Sequence, residues 1–143
     1  MPLPPTQVKV NKGGVKLLDN CDRANYYIEE LTNAALRDVG RYIVKQVKLR
    51  IHKRTGILAK NTKSKVDKKT HELFVGFKPG GFYGRFQELG TTHQPKIGAL
   101  QSAVEENIDT IQKIEAQYLS AIDDELKARS LVDENASDED DNE

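Results

Sequence analysis

Apolar side chains recur at three- and four-residue spacings over two long stretches of this chain. The first stretch runs from about Asp22 to Ile51, and its apolar positions fall on one stripe of a helix. That stripe comprises Tyr27, Ile28, Leu31, Ala35, Val39, Tyr42, Ile43 and Val47. Asn20 or Asp22 is the expected N-cap, and Gly40 inside the helix predicts either a bend or the close approach of a neighbouring backbone. The second stretch, from about Ile97 to Leu126, predicts another long helix.

Alternation of apolar and polar residues predicts strands elsewhere. Val8 and Val10 alternate with polar neighbours before a Gly-Gly turn, which indicates a short strand. Thr62 to Lys68 and Glu72 to Phe77 predict a β-hairpin, because the second run places its apolar residues on one face. The chain is therefore expected to adopt an α+β fold, with a small antiparallel β-sheet and two long amphipathic helices packed on it.

The segment between the hairpin and the second helix reads FYGRFQELGTTHQP, residues 82–95. Phe82, Phe86 and Leu89 are spaced for one face of a short helix that ends at Gly90. Tyr and Phe bury a large area with few torsions, so Phe82, Tyr83 and Phe86 are candidates for a contact between subunits. For Phe86 the simpler explanation is packing in its own core.

Length and composition suit one soluble domain without disulfides. The chain has 143 residues and one cysteine, Cys21. It shows neither a leader pattern nor an apolar run long enough to span a bilayer, so we expect no export and no membrane partner. We expect residues 1–7, with their prolines, to form a flexible arm. A single domain is expected over residues 8–128 and a disordered acidic tail over residues 129–143.

The net charge of zero hides two segregated blocks. Eleven Lys and Arg against one acid lie from Arg41 to Lys69, whereas residues 123–143 contain ten acids. The basic side chains that could face DNA or a lumen are Lys60, Lys63, Lys65, Lys68 and Lys69. Non-specific nucleic-acid binding by the Arg41–Lys69 stretch is the alternative function, and a solvated surface is the simplest explanation. The acidic block is either a solubilising appendage or a ligand for a basic surface, its own or a partner's.

The residues give little support to catalysis or to a cofactor. His52, His71 and His93 lack the spacing of metal ligands, and Cys21 has no accompanying nucleophile signature. Glu88 and His93 form only a weak candidate acid-base pair. We predict no catalytic residue, no metal and no cofactor. A small hydrolase is therefore only the third hypothesis for the function.

Two short motifs carry a resemblance to a known family. They are a Thr-Gly-x-Leu segment and a Tyr-x-x-Phe-x-Glu-x-Gly-Thr run, followed by Pro95. The motif residues are Thr55, Gly56, Leu58, Tyr83, Phe86, Glu88, Gly90 and Thr91. In this order, between a hairpin and two helices, they resemble the tail-completion proteins of long-tailed bacteriophages, which join head to tail in the neck. The likeness covers about Val8 to Ile108 and weakens after Pro95, where relatives have a proline-rich entry into the last helix.

The resemblance implies a non-enzymatic virion protein that is assembled in the bacterial host cytoplasm. Such a protein is a monomer when free and forms a ring, expected to be a hexamer, in the neck. Its implied partners are further copies of itself, head-completion or adaptor proteins, the tail-tube or tail-terminator protein, and DNA that passes through the lumen without sequence recognition. The residues expected at the subunit or partner interface are Phe82, Tyr83, Phe86, Glu88, Gly90 and Thr91.

Overall fold

The computed structural model describes residues 3–5, 8–52 and 54–137. Its strands are β1 (Val8–Lys12), β2 (Val15–Asp19), β3 (Thr62–Asp67) and β4 (Glu72–Phe77). Its α-helices are α1 (Cys21–Arg50), α2 (Ile57–Asn61), α3 (Gly84–Leu89), α4 (Ala99–Glu105), α5 (Ile108–Leu119) and α6 (Glu125–Ser137), and a 3₁₀ turn covers Pro79–Gly81. The predicted α+β class is confirmed, but in the described residues β1 pairs only with β2 and β3 only with β4, so there are two small antiparallel sheets instead of one.

The first hairpin contains a strand that periodicity did not predict. Between β1 and β2 the backbone turns through two glycines, and both Gly13 and Gly14 have positive φ angles, of 62° and 80°. Positive φ at both positions suits a two-residue turn whose twist matches that of the flanking strands. The Gly-Gly pair between two β-prone runs was the sequence signal for this second strand.

Helix α1 confirms the long helix predicted from the apolar stripe. At its start the Asn20 carbonyl accepts the Ala24 amide at 3.1 Å, and Asp19 Oδ1 accepts the Cys21 amide at 2.9 Å. The carboxylate of Asp19, which precedes the predicted caps Asn20 and Asp22 by one and three residues, therefore supports the first turn.

The second predicted helix is interrupted and forms α4, α5 and α6. At the first break Asn107 donates from Nδ2 to the Ala103 carbonyl and accepts the Tyr42 hydroxyl at 2.8 Å. At the second, Asp124 Oδ1 accepts the Leu126 amide at 3.0 Å and begins α6. Asn and Asp compete for backbone hydrogen bonds and favour helix ends, which explains why these breaks override a continuous apolar period.

The chain divides into two compact units, and one domain over residues 8–128 stays a prediction. The first comprises Met1–Ala34 and Tyr118–Glu143, and the second comprises Ala35–Gln117. In the first unit Arg23 forms an ion pair with Glu125 at the start of α6. Near the end of α6, Asn135 is only 2% exposed and donates to the Ala34 carbonyl at 3.2 Å.

These contacts give order to part of the predicted acidic tail. Residues 129–137 belong to α6, in contrast to the disorder expected there, because the helix has partners in its own unit. Residues 138–143 lie outside the described residues, as do residues 1, 2, 6 and 7 of the predicted arm. Among the arm residues that are described, the Pro4 carbonyl accepts a hydrogen bond from Arg23 at 3.1 Å.

The core of the second unit lies where α1, α2 and α4 meet. It comprises Val39, Ile43, Val47, Ile51, Leu58, Ala99 and Ala103. The second hairpin packs against this cluster through Leu73, Val75 and Phe77. A Cβ atom on Gly40 would lie 2.8 Å from Leu73 Cδ1 and 3.0 Å from Ser64 Cβ. Close approach of the hairpin, and not a bend alone, therefore accounts for this glycine.

No helix in the described part of the chain is both long and apolar enough to cross a membrane.

Candidate functional site

The two motifs identified in the sequence meet at a contact between Leu58 and Gly84. Leu58 in α2 is 2% exposed. A Cβ atom on Gly84 would lie 2.6 Å from Leu58 Cδ1 and 2.7 Å from Phe77 Cδ2. Only a residue without a side chain lets α3 approach α2 and β4 this closely. Gly84 therefore fits α3 closely to its own subunit.

The loop before α3 is held against the end of α2. The Asn61 carbonyl accepts the Lys78 amide at 2.8 Å. Asn61 also packs closely against the 3₁₀ turn, since a Cβ atom on Gly80 would lie 2.8 Å from Asn61 Oδ1. Thr62, which is fully buried, adds a hydrogen bond from its hydroxyl to the Leu58 carbonyl at 2.9 Å. Phe82 and Tyr83 therefore follow a well-supported stretch of backbone.

Glu88 has partners within its own chain. Its carboxylate oxygens accept the amides of Leu100 at 3.0 Å and Gln101 at 3.1 Å, in the first turn of α4. A carboxylate satisfies free amides and favours the positive end of a helix there. The structure thus places Glu88 as a brace between α3 and α4, and Glu88 forms no hydrogen bond or ion pair with the exposed His93.

The remaining motif residues shape the loop between these helices. Gly90 ends α3 with a φ of 78°, and a Cβ atom there would lie 2.9 Å from the Lys96 nitrogen. Thr91 pairs with Gln94, since its amide donates to the Gln94 carbonyl at 2.9 Å and its hydroxyl accepts the Gln94 amide at 3.1 Å. Gly90 and Thr91 therefore close a tight loop within one subunit.

Three large apolar side chains on and just before α3 are exposed. Phe82, Phe86 and Leu89 have 72%, 47% and 67% of their surface exposed. The backbone of Phe82 and Tyr83 is also helical, so the three side chains keep the spacing of one helical stripe. We call these three residues the apolar face. Tyr83 instead packs against the core, with its ring at 5.8 Å from that of Phe82 in an edge-to-face arrangement.

This finding revises two expectations. Core packing was the simpler explanation for Phe86, but nearly half of its surface is exposed. Leu89 was assigned to the helical stripe and not to the candidate interface, although it belongs to the same exposed face. The signal was present in the spacing of the three residues, and periodicity alone does not tell a buried stripe from an exposed one.

A groove of about 580 Å³ lies at the surface of the second unit and is lined by residues of both motifs. Its lining is mixed, with Leu58, Tyr83 and Phe86 as apolar walls and polar groups at the rim. Across it, Gln87 Oε1 accepts the His52 amide at 3.3 Å. Thr55, Gly56 and Thr91 also line the groove, so most of the motif residues surround one depression.

The candidate basic residues cluster on and beside the second hairpin. Lys63 and Lys65 are exposed on the face of β3 that points away from the core, where Lys65 pairs with Phe74, which is 56% exposed. Lys68 and Lys69 are exposed in the turn between β3 and β4. We call Lys63, Lys65, Lys68 and Lys69 the basic hairpin. Lys60 is exposed nearby in sequence, at the end of α2.

None of these five lysines forms an ion pair with another described residue. The hairpin does contain two acids, Asp67 and Glu72, but they accept hydrogen bonds from the Lys69 amide and the Thr70 hydroxyl in the turn. The ammonium groups of the basic hairpin are thus exposed and not neutralised by the described acids.

The arrangement offers little for metal or nucleophilic chemistry. Over residues 3–5, 8–52 and 54–137, no group of three His, Cys, Asp or Glu side chains is placed to hold a metal ion. Cys21 is exposed, but a hydrogen bond with Asp19 raises the pKa of its thiol. Since the thiolate is the reactive form, this setting disfavours a nucleophilic role.

Comparison with protein families finds one whose description is "Bacteriophage HK97-gp10, putative tail-component", and it matches residues 16–90. The matched region runs from β2 through α1, α2 and the second hairpin to the end of α3. It includes the first motif and all of the second motif except Thr91. It ends before Pro95. Comparisons with curated proteins and with solved structures return no match. Because the match covers more than half of the chain, this protein belongs to the HK97-gp10-like family of bacteriophage tail components.

Proposed function

We propose that this protein is a structural protein of the phage neck, where it joins the DNA-filled head to the tail. It forms a ring, a hexamer, between the head-completion or adaptor proteins and the tail tube or tail terminator. Family membership over residues 16–90 is the observation that carries this proposal. Assembly takes place in the bacterial host cytoplasm, and the joint itself requires no catalysis.

The apolar face supports a role in contact between proteins. Covering a large apolar side chain contributes roughly 1.5–3 kcal/mol when the burial is complete. Phe82, Phe86 and Leu89 together offer such burial from one side of a short helix. Aromatic anchors of this type dominate many interfaces.

The support beneath the apolar face adds to the argument. Leu58 and Gly84 fit α3 closely to α2, and Glu88 braces α3 to α4. A face held in place before binding loses less conformational entropy when a partner covers it. In this proposal Glu88, Gly90 and Thr91 act at the interface by positioning the apolar face, while Tyr83 anchors it to the core.

The experiment compares two pairs of exposed apolar residues in phage particles. The Phe82→Ala, Phe86→Ala double variant is expected to accumulate filled heads and complete tails that remain unjoined, as seen by electron microscopy. Its melting temperature as a free protein should stay close to that of the wild type, because the side chains removed are exposed. The control is Leu119→Ala with Leu126→Ala, two side chains that are 64% and 80% exposed and lie outside the motifs.

Two results would contradict the proposal. If the Phe82→Ala, Phe86→Ala variant gave joined, infectious particles, the apolar face would not be part of the joint. Absence of the protein from the region between capsid and tail would remove the neck assignment itself. A third measurement addresses the nucleic-acid alternative: if a Lys63→Ala, Lys65→Ala, Lys68→Ala variant lost DNA binding at physiological salt while particles still joined, the lysines would serve DNA binding instead of assembly.

A further inference from the structure

The basic hairpin is the strongest charged feature that the proposed joint does not use. Residues 60–69 contain five lysines and one aspartate, and all five lysines are exposed. Their ammonium groups have no ion-pair partner among the described residues. Like charges crowded on one small surface repel one another, so a partner that neutralises them would be favoured.

The chain itself contains a segment of matching charge. Residues 138–143, which follow α6 and lie outside the described residues, read DEDDNE, with five acids in six positions. The full chain has a net charge of zero. An assembly of identical copies therefore accumulates no net charge.

The spacing of the lysines would match an acidic segment that binds in an extended conformation. Lys63 and Lys65 lie two residues apart on one face of a strand, so their side chains emerge about 7 Å apart. An extended acidic segment presents alternate carboxylates at the same interval of about 7 Å. Six residues of extended chain span roughly 20 Å, which is also the approximate length of the six-residue strand β3.

We propose that the basic hairpin of one subunit binds the acidic segment, residues 138–143, of a neighbouring copy. This inference rests on the proposed ring and specifies one of its contacts. The contact is heterologous, since the basic hairpin of one copy meets the acidic segment of another, and heterologous contacts can close into rings. Exposed charge pairs are screened by salt, so the contact weakens as ionic strength rises.

Disulfide trapping between two different chains tests the contact directly. One protein carries Lys65→Cys, a second carries Asp140→Cys and a size tag, and both carry Cys21→Ser because Cys21 is exposed. Mixed under mild oxidation at low salt, the two are expected to form a mixed disulfide dimer. The yield should fall about tenfold when the salt is raised from about 0.05 M to about 0.5 M. The matched control replaces Lys65→Cys with Lys12→Cys, an exposed lysine on the first hairpin.

The trapping experiment has three outcomes that would contradict the contact between the basic hairpin and the acidic segment of a neighbouring copy. Equal yields from Lys65→Cys and Lys12→Cys would overturn the inference. So would a disulfide that forms only within a chain carrying both cysteines, because the segment would then bind its own hairpin. If the mixed dimer does not form and the protein instead binds DNA through the hairpin at the same low salt, the function of the lysines is DNA binding.

Charge exchange provides a second readout that does not depend on cysteine geometry. Lys63→Glu, Lys65→Glu, Lys68→Glu and Asp138→Lys, Asp140→Lys, Asp141→Lys should each reduce the yield of joined particles. Combining both sets in one chain should restore it, and failure to restore would contradict the pairing. The hairpin contact can fail separately from the proposed function. If no mixed dimer forms but the Phe82→Ala, Phe86→Ala variant still leaves heads and tails unjoined, only the hairpin contact is rejected. If the mixed dimer forms but that variant gives normal particles, only the role of the apolar face is rejected.

Discussion

At the residue scale, the absence of a side chain at Gly84 decides how α3 fits the rest of its unit. A Cβ atom there would lie 2.6 Å from Leu58 Cδ1 and 2.7 Å from Phe77 Cδ2, closer than real contacts allow. We therefore expect Gly84→Ala to destabilise the protein by about 1–3 kcal/mol through overpacking. Chemical denaturation of the purified variant measures this loss.

Gly76→Ala provides the matched control, since a Cβ atom on that glycine would meet nothing within 4 Å. Its effect should stay within about 0.5 kcal/mol of the wild type. A Gly84→Ala variant as stable as Gly76→Ala would show that α3 moves away from α2 without cost. The contact between the two motifs would then not hold the apolar face.

At the element scale, helix α6 is attached to α1 by an ion pair at its first turn. Arg23 pairs with Glu125, and the Tyr27 hydroxyl donates to the same carboxylate at 3.3 Å. The hydrogen bond from Arg23 lowers the pKa of Glu125 below its ordinary value of 4.5. A carboxyl group whose pKa is lowered by folding stabilises the folded state above its ordinary pKa. That contribution is lost as the pH falls through the folded-state pKa.

Glu125→Gln should therefore lower the melting temperature at neutral pH, and its difference from the wild type should shrink as the pH falls below 4.5. Circular dichroism melts across this range give the comparison. Asp133→Asn is the control on the same helix, because the Asp133 ion pair with Arg129 is exposed at both side chains. A difference between Glu125→Gln and wild type that stayed constant with pH would contradict a role for the ionised carboxylate.

At the scale of the whole molecule, the chain has a net charge of zero, although many of its basic and acidic residues lie in two separate blocks. Removing residues 138–143 deletes five acids and leaves the basic hairpin in place. We expect the truncated protein to bind DNA without sequence preference at low salt more tightly than the full chain, because an acidic block competes with phosphates for the same lysines. Mobility shifts at about 0.05 M and about 0.2 M salt measure the difference and its screening.

The control for that experiment is the truncated protein that also carries Lys63→Ala, Lys65→Ala and Lys68→Ala, in which the gain should disappear. Equal DNA binding by the full and truncated chains would show that the acidic segment does not compete for the basic hairpin. Such a result would favour its interpretation as a solubilising appendage.

Periodicity predicted the elements whose pattern is local. The apolar stripe of α1, the alternation in β3 and β4, and the short helix ending at Gly90 all agree with the structure. Each depends on residues a few positions apart, where backbone geometry directly sets which side chains share a face. The candidate lysines were located for the same reason, since an alternating strand beside an apolar one must place its charges outward.

Contacts between distant residues were beyond such reasoning. The break before α5 involves Tyr42 and Asn107, and the order of α6 involves Ala34 and Asn135. The intrachain role of Glu88 depends on where α4 begins. None of these partners follows from spacing, because the chain must fold before they meet.

The sequence by itself determined the fold class, the family motifs and the segregation of charge, because these are properties of residue order and local geometry. Only the tertiary structure decided that Leu58 meets Gly84, that Glu88 faces inward, and that Phe82 and Phe86 remain exposed. The physical reason is that burial depends on what packs against a side chain. Periodicity specifies the direction in which a residue points but not what lies there.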